Sequence, residues 1–161
     1  MIKRLNEKNI VDLIEFFDKV PDKFEDTYIT TNKQRLFFKN NLTLIKKVLS
    51  NQEVYGLENN GIKAIMIIVR DKGFRPYVKL LAENSKYTID MLKWFKWTFF
   101  EKDMYFKLKK NNPLSTMIKK TGFVKIGDRG LEDLFFKKGL KQLFKITPKD
   151  LYLIDEKDRL Y

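Results

Sequence analysis

Residues 54–70, Val-Tyr-Gly-Leu-Glu-Asn-Asn-Gly-Ile-Lys-Ala-Ile-Met-Ile-Ile-Val-Arg, decide the fold. Asn60-Gly61 is a pair that tight β-turns prefer, because both central positions of such a turn need a positive φ. The sequence therefore predicts a hairpin with strands at 54–58 and 62–70. Residues 64–69 are apolar at every position, which is typical of a central strand covered on both faces. A sheet with helices on both sides follows.

A strand and two helices are predicted before the hairpin. Residues 2–5 form the strand, and Asn6 or Asn9 can cap the helix that follows. Pro21 marks the end of that helix, and residues 33–49 are predicted to form the second one. The apolar faces have helical spacing and consist of Ile10, Leu13, Ile14 and Phe17 in the first helix and of Phe37, Leu44, Ile45, Val48 and Leu49 in the second.

Strands and helices alternate after the hairpin. The predicted order is strand 77–82, helix 87–100, strand 104–108, helix 113–121, strand 124–126 and strand 134–138, with a turn at 127–130. The last helix has a start and a stop. Asn112 can cap its free N–H groups, Pro113 suits its first turn, and Gly122 can take the left-handed conformation after its end. We predict one domain at 1–138, followed by an appendage at 139–161.

The composition excludes several kinds of site. There is no cysteine and no histidine, so thiolate nucleophiles, disulfides, imidazole bases and zinc sites built on these residues are excluded, and we expect no metal. The polar residues near Met1 are not those of a signal peptide, and the longest apolar run, 64–69, is too short to cross a bilayer. We expect no membrane contact and a cytoplasmic location.

The charge is strongly positive and uneven. The chain has 33 Lys and Arg against 21 Asp and Glu, and the stretch 102–149 holds thirteen of the former and four of the latter. Such a field attracts polyanions, so nucleic acid is a candidate partner for 102–149. Tyr105 and Phe106 lie within the same stretch and offer rings for stacking. Lysines that only solvate the surface are the alternative.

One segment resembles a known family. Residues 112–123, Asn-Pro-Leu-Ser-Thr-Met-Ile-Lys-Lys-Thr-Gly-Phe, resemble the helix that the GNAT superfamily of N-acetyltransferases writes as an Asn, an apolar-rich helix and a final Gly-Phe. The order of the predicted elements over 1–138 is similar to that family as well. The resemblance implies an α+β, GNAT-like (acyl-CoA N-acyltransferase) fold: a mixed, mostly antiparallel twisted sheet with helices on both faces. It also implies acetyl-CoA as the cofactor.

Two positions depart from the family pattern. The family holds the pyrophosphate of CoA on a glycine-containing turn at a helix N-terminus, where free N–H groups bind anions. The corresponding stretch 82–90 has no glycine and contains Glu83. The tyrosine that many members use as general acid is Ile118 here, although Tyr105 or Tyr87 can take its place. If CoA binds, the predicted cofactor-binding residues are Ser85, Lys86, Tyr87, Thr88 and Asn112.

Two classes of function remain open. The first is an active acetyl-CoA-dependent N-acetyltransferase with a non-standard cofactor loop. The second, which both departures favour, is a GNAT-fold protein without catalysis or cofactor that acts as a binding or assembly component. Small basic proteins of this style occur among phage gene products, some associated with the virion, so the host cytoplasm or the virion is the expected location. Trp97 is unusual because it shares an otherwise charged helix stripe with Asp90, Lys93 and Glu101. The predicted partner-binding residues are Trp97, Lys109, Lys110, Lys119 and Lys120.

Overall fold

The computed structural model describes residues 1–29, 34–71, 75–129 and 132–139. Nine strands lie within these ranges: β1 Ile2–Arg4, β2 Thr27–Ile29, β3 Arg35–Phe37, β4 Glu53–Glu58, β5 Ile62–Val69, β6 Tyr77–Ala82, β7 Met104–Lys109, β8 Val124–Arg129 and β9 Glu132–Lys137. Four α-helices accompany them: α1 Ile10–Lys19, α2 Leu42–Asn51, α3 Ser85–Thr98 and α4 Leu114–Lys120. Short 3₁₀ turns at Glu7–Asn9 and Asp22–Phe24 precede and follow α1.

Seven of the strands form one sheet in the order β1-β4-β5-β6-β7-β9-β8, while β2 and β3 form a separate two-stranded sheet. Every pair in the large sheet is antiparallel except β6 and β7, which run parallel. These two strands share a single paired position, Val78 with Phe106, and diverge beyond it. The α+β class and the mixed, mostly antiparallel sheet predicted from the sequence are confirmed.

The hairpin and the central strand form as predicted. Asn60 and Gly61 have φ values of 56° and 103°, so the turn uses the left-handed conformation that this pair permits. Strand β5 lies between β4 and β6, and residues 64–69 are fully buried. Its two faces meet different helices: α1 and α2 pack on one side and α3 on the other.

The helix over 112–122 also forms. Asn112 accepts a hydrogen bond from the N–H of Leu114 through Oδ1 at 3.0 Å, and Gly122 follows the helix with a φ of 97°. Leu114 and Ile118 are buried, and Met117 packs partly buried against the core, as the spacing predicts.

The predicted helix at 33–49 is wrong in its first half. Residues 35–37 are strand β3, and Phe37, predicted to be buried, is 44% exposed. Asn40 takes a φ of 58°, which stops any helix from running through it, and Asn41 caps α2 by accepting from the N–H of Leu44 at 3.1 Å. The turn predicted at 127–130 is also wrong at its start, because β8 continues to Arg129; residues 130 and 131 lie outside the described residues.

The end of the described chain is fixed to the domain. Gly139 is buried, and its N–H donates to Asp103 Oδ1 at 2.6 Å. The rest of the predicted appendage, 140–161, lies outside the described residues, so the boundary at 138 and 139 stays a prediction.

Gly139→Ala should destabilise the protein, because a Cβ at this position would fall against the carbonyl oxygen of Glu101 and 2.8 Å from the carbonyl carbon of Lys102. These are backbone atoms, which cannot change rotamer to relieve the clash. We therefore expect a loss of about 1–3 kcal/mol in the free energy of unfolding, measured by urea denaturation. Gly127→Ala is the control, since nothing lies within 4 Å of its Cβ position. Equal effects of the two changes would contradict this packing.

Candidate functional site

The N-terminus of α3 is the position where the resemblance places the CoA pyrophosphate. Asn84 caps this helix with its own side chain: Oδ1 accepts from the N–H of Lys86 at 3.1 Å and from that of Tyr87 at 3.3 Å. The hydroxyl of Thr88 donates back to the carbonyl oxygen of Asn84 at 3.2 Å. The first-turn N–H groups that bind anions at other helix N-termini therefore already have an acceptor within the chain.

A carboxylate stands beside this helix end. Glu83 immediately precedes the cap, and one of its oxygens lies 3.3 Å from Nζ of Lys63 on β5. The pair is partly buried, and Lys63 offsets the charge of this carboxylate. A phosphate at the helix end would have to displace the Asn84 cap from the N–H groups of Lys86 and Tyr87. The residues present do not fit a pyrophosphate.

Two of the predicted cofactor residues face elsewhere. Lys86 and Tyr87 line a surface groove on the side of β1 and β4, away from β7. The hydroxyl of Tyr87 lies 3.5 Å from Nδ2 of Asn59 there. Asp90 and Trp94 line the same groove. Of the remaining predicted residues, Ser85 is partly buried and Thr88 is fully buried.

Asn112 acts mainly as a helix cap. Its side chain is buried, and its Oδ1 is used by the N–H of Leu114. Its Nδ2 is buried without a hydrogen-bond acceptor among the described residues. No hydrogen bond between described residues joins Asn112 to Ser85, Lys86, Tyr87 or Thr88, and their role in cofactor binding stays a prediction.

Sequence reasoning missed a buried ion cluster at the middle of the sheet. Lys79 of β6 is fully buried, and its ammonium contacts Asp26 Oδ1 at 3.2 Å and the carboxylate of Glu132 on β9. Because Glu132 is paired with Lys109 of β7, the Lys79–Glu132 contact crosses from β6 over β7 to β9. The ion cluster, defined as Asp26, Lys79 and Glu132, therefore lies where the two parallel strands diverge.

The cluster holds more acid than base. One oxygen of Asp26 makes no hydrogen bond although it is buried. Burial raises the pKa of Asp26, and the attraction of Lys79 offsets this only in part. Nearby Tyr77 is affected in the same direction: burial is the main cause of its raised pKa, and the charges of Glu132, Asp71 and Asp26 add to it. Lys79 and the two carboxylates are buried together, so the cluster works as a structural support.

The predicted general acid is absent. Ile118 of α4 is completely buried in the core, and its side chain carries no proton to give. Tyr87 lies in the groove described above. Tyr105 lies on β7, with the guanidinium of Arg75 over its ring at 4.4 Å from the centroid.

The predicted partner-binding lysines lie on two elements. Lys109 ends β7, and Lys110 follows it with Nζ 3.5 Å from Asp128, whereas Lys119 and Lys120 lie exposed in the last turn of α4. Trp97 is half-buried while its stripe neighbours Asp90, Lys93 and Glu101 are exposed, so its ring is only partly available.

Comparisons with known proteins identify the fold. No protein-family model matches the chain, and no curated protein matches it by sequence. Solved structures do match. An N-acetyltransferase from Staphylococcus aureus Mu50 is 13% identical with a TM-score of 0.57, over 86% of this chain and 96% of that one. A GNAT-family acetyltransferase from Bacillus cereus is 13% identical with a TM-score of 0.58, over 87% and 97%. A spermidine N-acetyltransferase chimera of the Vibrio cholerae protein and hSSAT is 9% identical with a TM-score of 0.60, over 89% and 99%.

The chain therefore has the GNAT fold, as the sequence predicts. Identities of 9–13% establish the fold and leave the activity open. Within the described residues, no helix is long and apolar enough to span a membrane.

Lys79→Met should be strongly destabilising, because it leaves two carboxylates buried without a cation. We expect a loss of about 3–5 kcal/mol in the free energy of unfolding at neutral pH. Lys3→Met is the matched control: Lys3 forms a half-exposed pair with Glu58 at 3.0 Å, and such pairs contribute under about 1 kcal/mol. Comparable losses in chemical denaturation would show that the cluster is not buried.

Asp26→Asn should change how stability depends on pH. Burial raises the pKa of Asp26, so the folded state keeps this proton to a higher pH than the unfolded state does. The stabilisation from that proton is complete below the unfolded value near 3.8 and is lost as pH rises through the folded pKa. The wild type should therefore lose stability relative to Asp26→Asn between acidic and neutral pH. Denaturation curves over that range test this, with exposed Asp18→Asn as the control; parallel wild-type and Asp26→Asn profiles would contradict it.

Proposed function

We propose that this protein is a GNAT-fold protein without acetyltransferase activity that works by binding a macromolecule, as a component of an assembly. The observation that carries the proposal is the closed N-terminus of α3. Asn84 occupies the N–H groups of Lys86 and Tyr87, and the residue before it is an acidic one, Glu83, where the family pattern has a glycine-containing turn.

The chemistry of transfer supports the same conclusion. Acetyl transfer needs the thioester held beside the nucleophile, since positioning supplies much of the rate. A turn that repels the pyrophosphate weakens binding at every stage. The space between the diverging strands β6 and β7 is crossed by the ion cluster, which is held by charges of the protein itself. Ile118 supplies no acid for the departing thiolate.

Binding as the mode of action is supported by the surface. The net charge of +12 favours an acidic partner, and the fold exposes several of the lysines of the basic stretch. An association with a phage virion is a finer form of this proposal, and it would place the protein in an assembly where it contacts protein or nucleic acid.

Acetyl-CoA should not stabilise the protein. A ligand that binds only the native state raises the free energy of unfolding by mass action, by about 2.7 kcal/mol at one hundred times its dissociation constant, and the melting temperature rises with it. We therefore expect no shift in thermal unfolding at millimolar acetyl-CoA and no saturable heat in calorimetry. The double change Glu83→Gln with Asn84→Gly is the companion variant, because it removes the like charge and frees the N–H groups, and any affinity for CoA should appear there first.

Saturable binding of acetyl-CoA by the wild type would overturn the proposal. If Asn112→Ala then abolished that binding, the unsatisfied amide of Asn112 would be identified as a cofactor contact, and the active-enzyme alternative would hold. A discontinuous assay of acetyl transfer to a polyamine and to a lysine peptide would complete the comparison.

A further inference from the structure

One face of β7 and β9 is partly exposed, unlike the central strands of the sheet. The opposite face of these strands is covered: Phe106 and Phe135 point toward α3 and α4 and are completely buried, with the rings of Phe95 and Phe106 5.2 Å apart. Helices α1 and α2 pack on β4 and β5. Alternate residues of β7 and β9 face away from α3 and α4. The partly exposed ones on this face are Tyr105, Lys107 and Lys109 of β7 and Leu134 and Phe136 of β9.

The apolar part of this face consists of aromatic rings on neighbouring strands. Tyr105 and Phe136 are directly paired across β7 and β9, with ring centroids 5.0 Å apart and planes at 41°. Val124, 61% exposed, is paired with Phe136 on the other side and extends the surface to β8. The guanidinium of Arg75 lies 4.4 Å above the ring of Tyr105. Ring faces and a guanidinium plane are thus presented together.

The charged part of this face is cationic. Lys107 lies over the ring of Tyr77 at 4.1 Å, and Lys109 follows two residues later on the same side. The nearest carboxylate, Glu132, is paired with Lys109 in the sheet but is buried and turned to Lys79. Asp103, before β7, accepts the N–H of Gly139. We call Arg75, Tyr105, Lys107, Lys109, Leu134 and Phe136 the aromatic-basic face.

We infer that the aromatic-basic face binds single-stranded nucleic acid, with bases on Phe136 and on the Arg75 guanidinium that Tyr105 supports from below, and with phosphates beside Lys107 and Lys109. Single strands expose their bases, and base stacking on aromatic side chains within a positive groove is the usual way in which proteins hold them. An acidic protein surface would pair with the cations, but its carboxylates would not stack on the aromatic rings. A duplex hides its bases from a flat sheet. This inference rests on the binding part of the proposed function and names its partner.

The first experiment is fluorescence anisotropy with the full chain. The probes are labelled single-stranded RNA and DNA of about 12 nucleotides, the matching duplex, and an acidic peptide of the same length. We expect saturable binding of the single strands at low salt and weaker binding of the duplex and the peptide. With two lysines beside phosphates, the slope of log affinity against log salt should be about −1.4, at roughly 0.7 per phosphate contact. The RNA and DNA arms show whether a 2′-hydroxyl matters.

Matched variants locate the site. Phe136→Leu and Tyr105→Leu keep apolar volume and remove a ring face, and each should weaken binding by roughly 5- to 150-fold. Lys109→Glu should weaken binding and flatten the salt slope, whereas Lys93→Glu, the same charge change at an exposed position of α3, should leave both unchanged. Circular dichroism and urea denaturation confirm that each variant is folded, and Lys109→Glu tests the face even if a ring variant is unstable.

Three results would overturn the inference: equal binding of duplex and single strand with no effect of the ring variants, preference for the acidic peptide, or sensitivity to Lys93→Glu in place of Lys109→Glu. Failure of the proposed function gives a different result. If acetyl-CoA stabilises the wild type, the proposed function fails whatever the oligonucleotides do; if neither acetyl-CoA nor any oligonucleotide binds, only the present inference fails.

Discussion

The contact between Lys79 and its two carboxylates is the constraint on which the middle of this structure depends. Its partners stand 53 residues before it and 53 residues after it, so one ammonium joins the segment before β2, the strand β6 and the strand β9. A buried ammonium is tolerated only when it is paired, and the carboxylates are buried by the same contacts. The three segments must therefore come together as a unit.

This constraint acts at the one weak place in the sheet. Antiparallel neighbours on either side are held by regular ladders, while β6 and β7 share only Val78 and Phe106. Hydrogen bonds lost by the divergence of two strands have to be offset by other contacts. On one face the rings of Phe95, Phe106 and Phe123 fill the space, and on the other the ion cluster does. The divergence that defines the fold is thus stabilised by side chains of this chain.

The sequence predicts those parts of the structure that depend on local rules. Asn60-Gly61 sets the hairpin, residues 64–69 set the central strand, and Gly122 ends α4, because each of these signals lies within the element that it controls. The helix predicted at 33–49 was wrong in its first half because the prediction gave more weight to apolar spacing than to Asn40-Asn41. Asn40 takes a left-handed conformation and Asn41 caps α2, so the helix begins only after them. That signal was present in the sequence.

The ion cluster could not be predicted in the same way. Lys79 stands between Tyr77 and Leu81 on one face of a strand that is otherwise apolar, which is a sign that the lysine is buried. The identity of its partners depends on a pairing between β7 and β9 and on a turn before β2, and neither is encoded near Lys79. The use of the N–H groups of Lys86 and Tyr87 by Asn84 could not be predicted either, since only the three-dimensional structure shows which acceptor these groups meet.

Strand β7 contributes to the core and to a partly exposed face at the same time. Side chains alternate along it, so Phe106 and Leu108 are buried in the core while Tyr105, Lys107 and Lys109 lie on the opposite face. Alternation gives the strand its basic and aromatic side chains without cost to the core. The ion cluster bridges β6 and β9 on the side of β7 that carries Lys109, and it holds these strands together through charges of the chain itself. The aromatic and basic side chains beside it have the charge and the ring content that suit a polyanion with exposed bases.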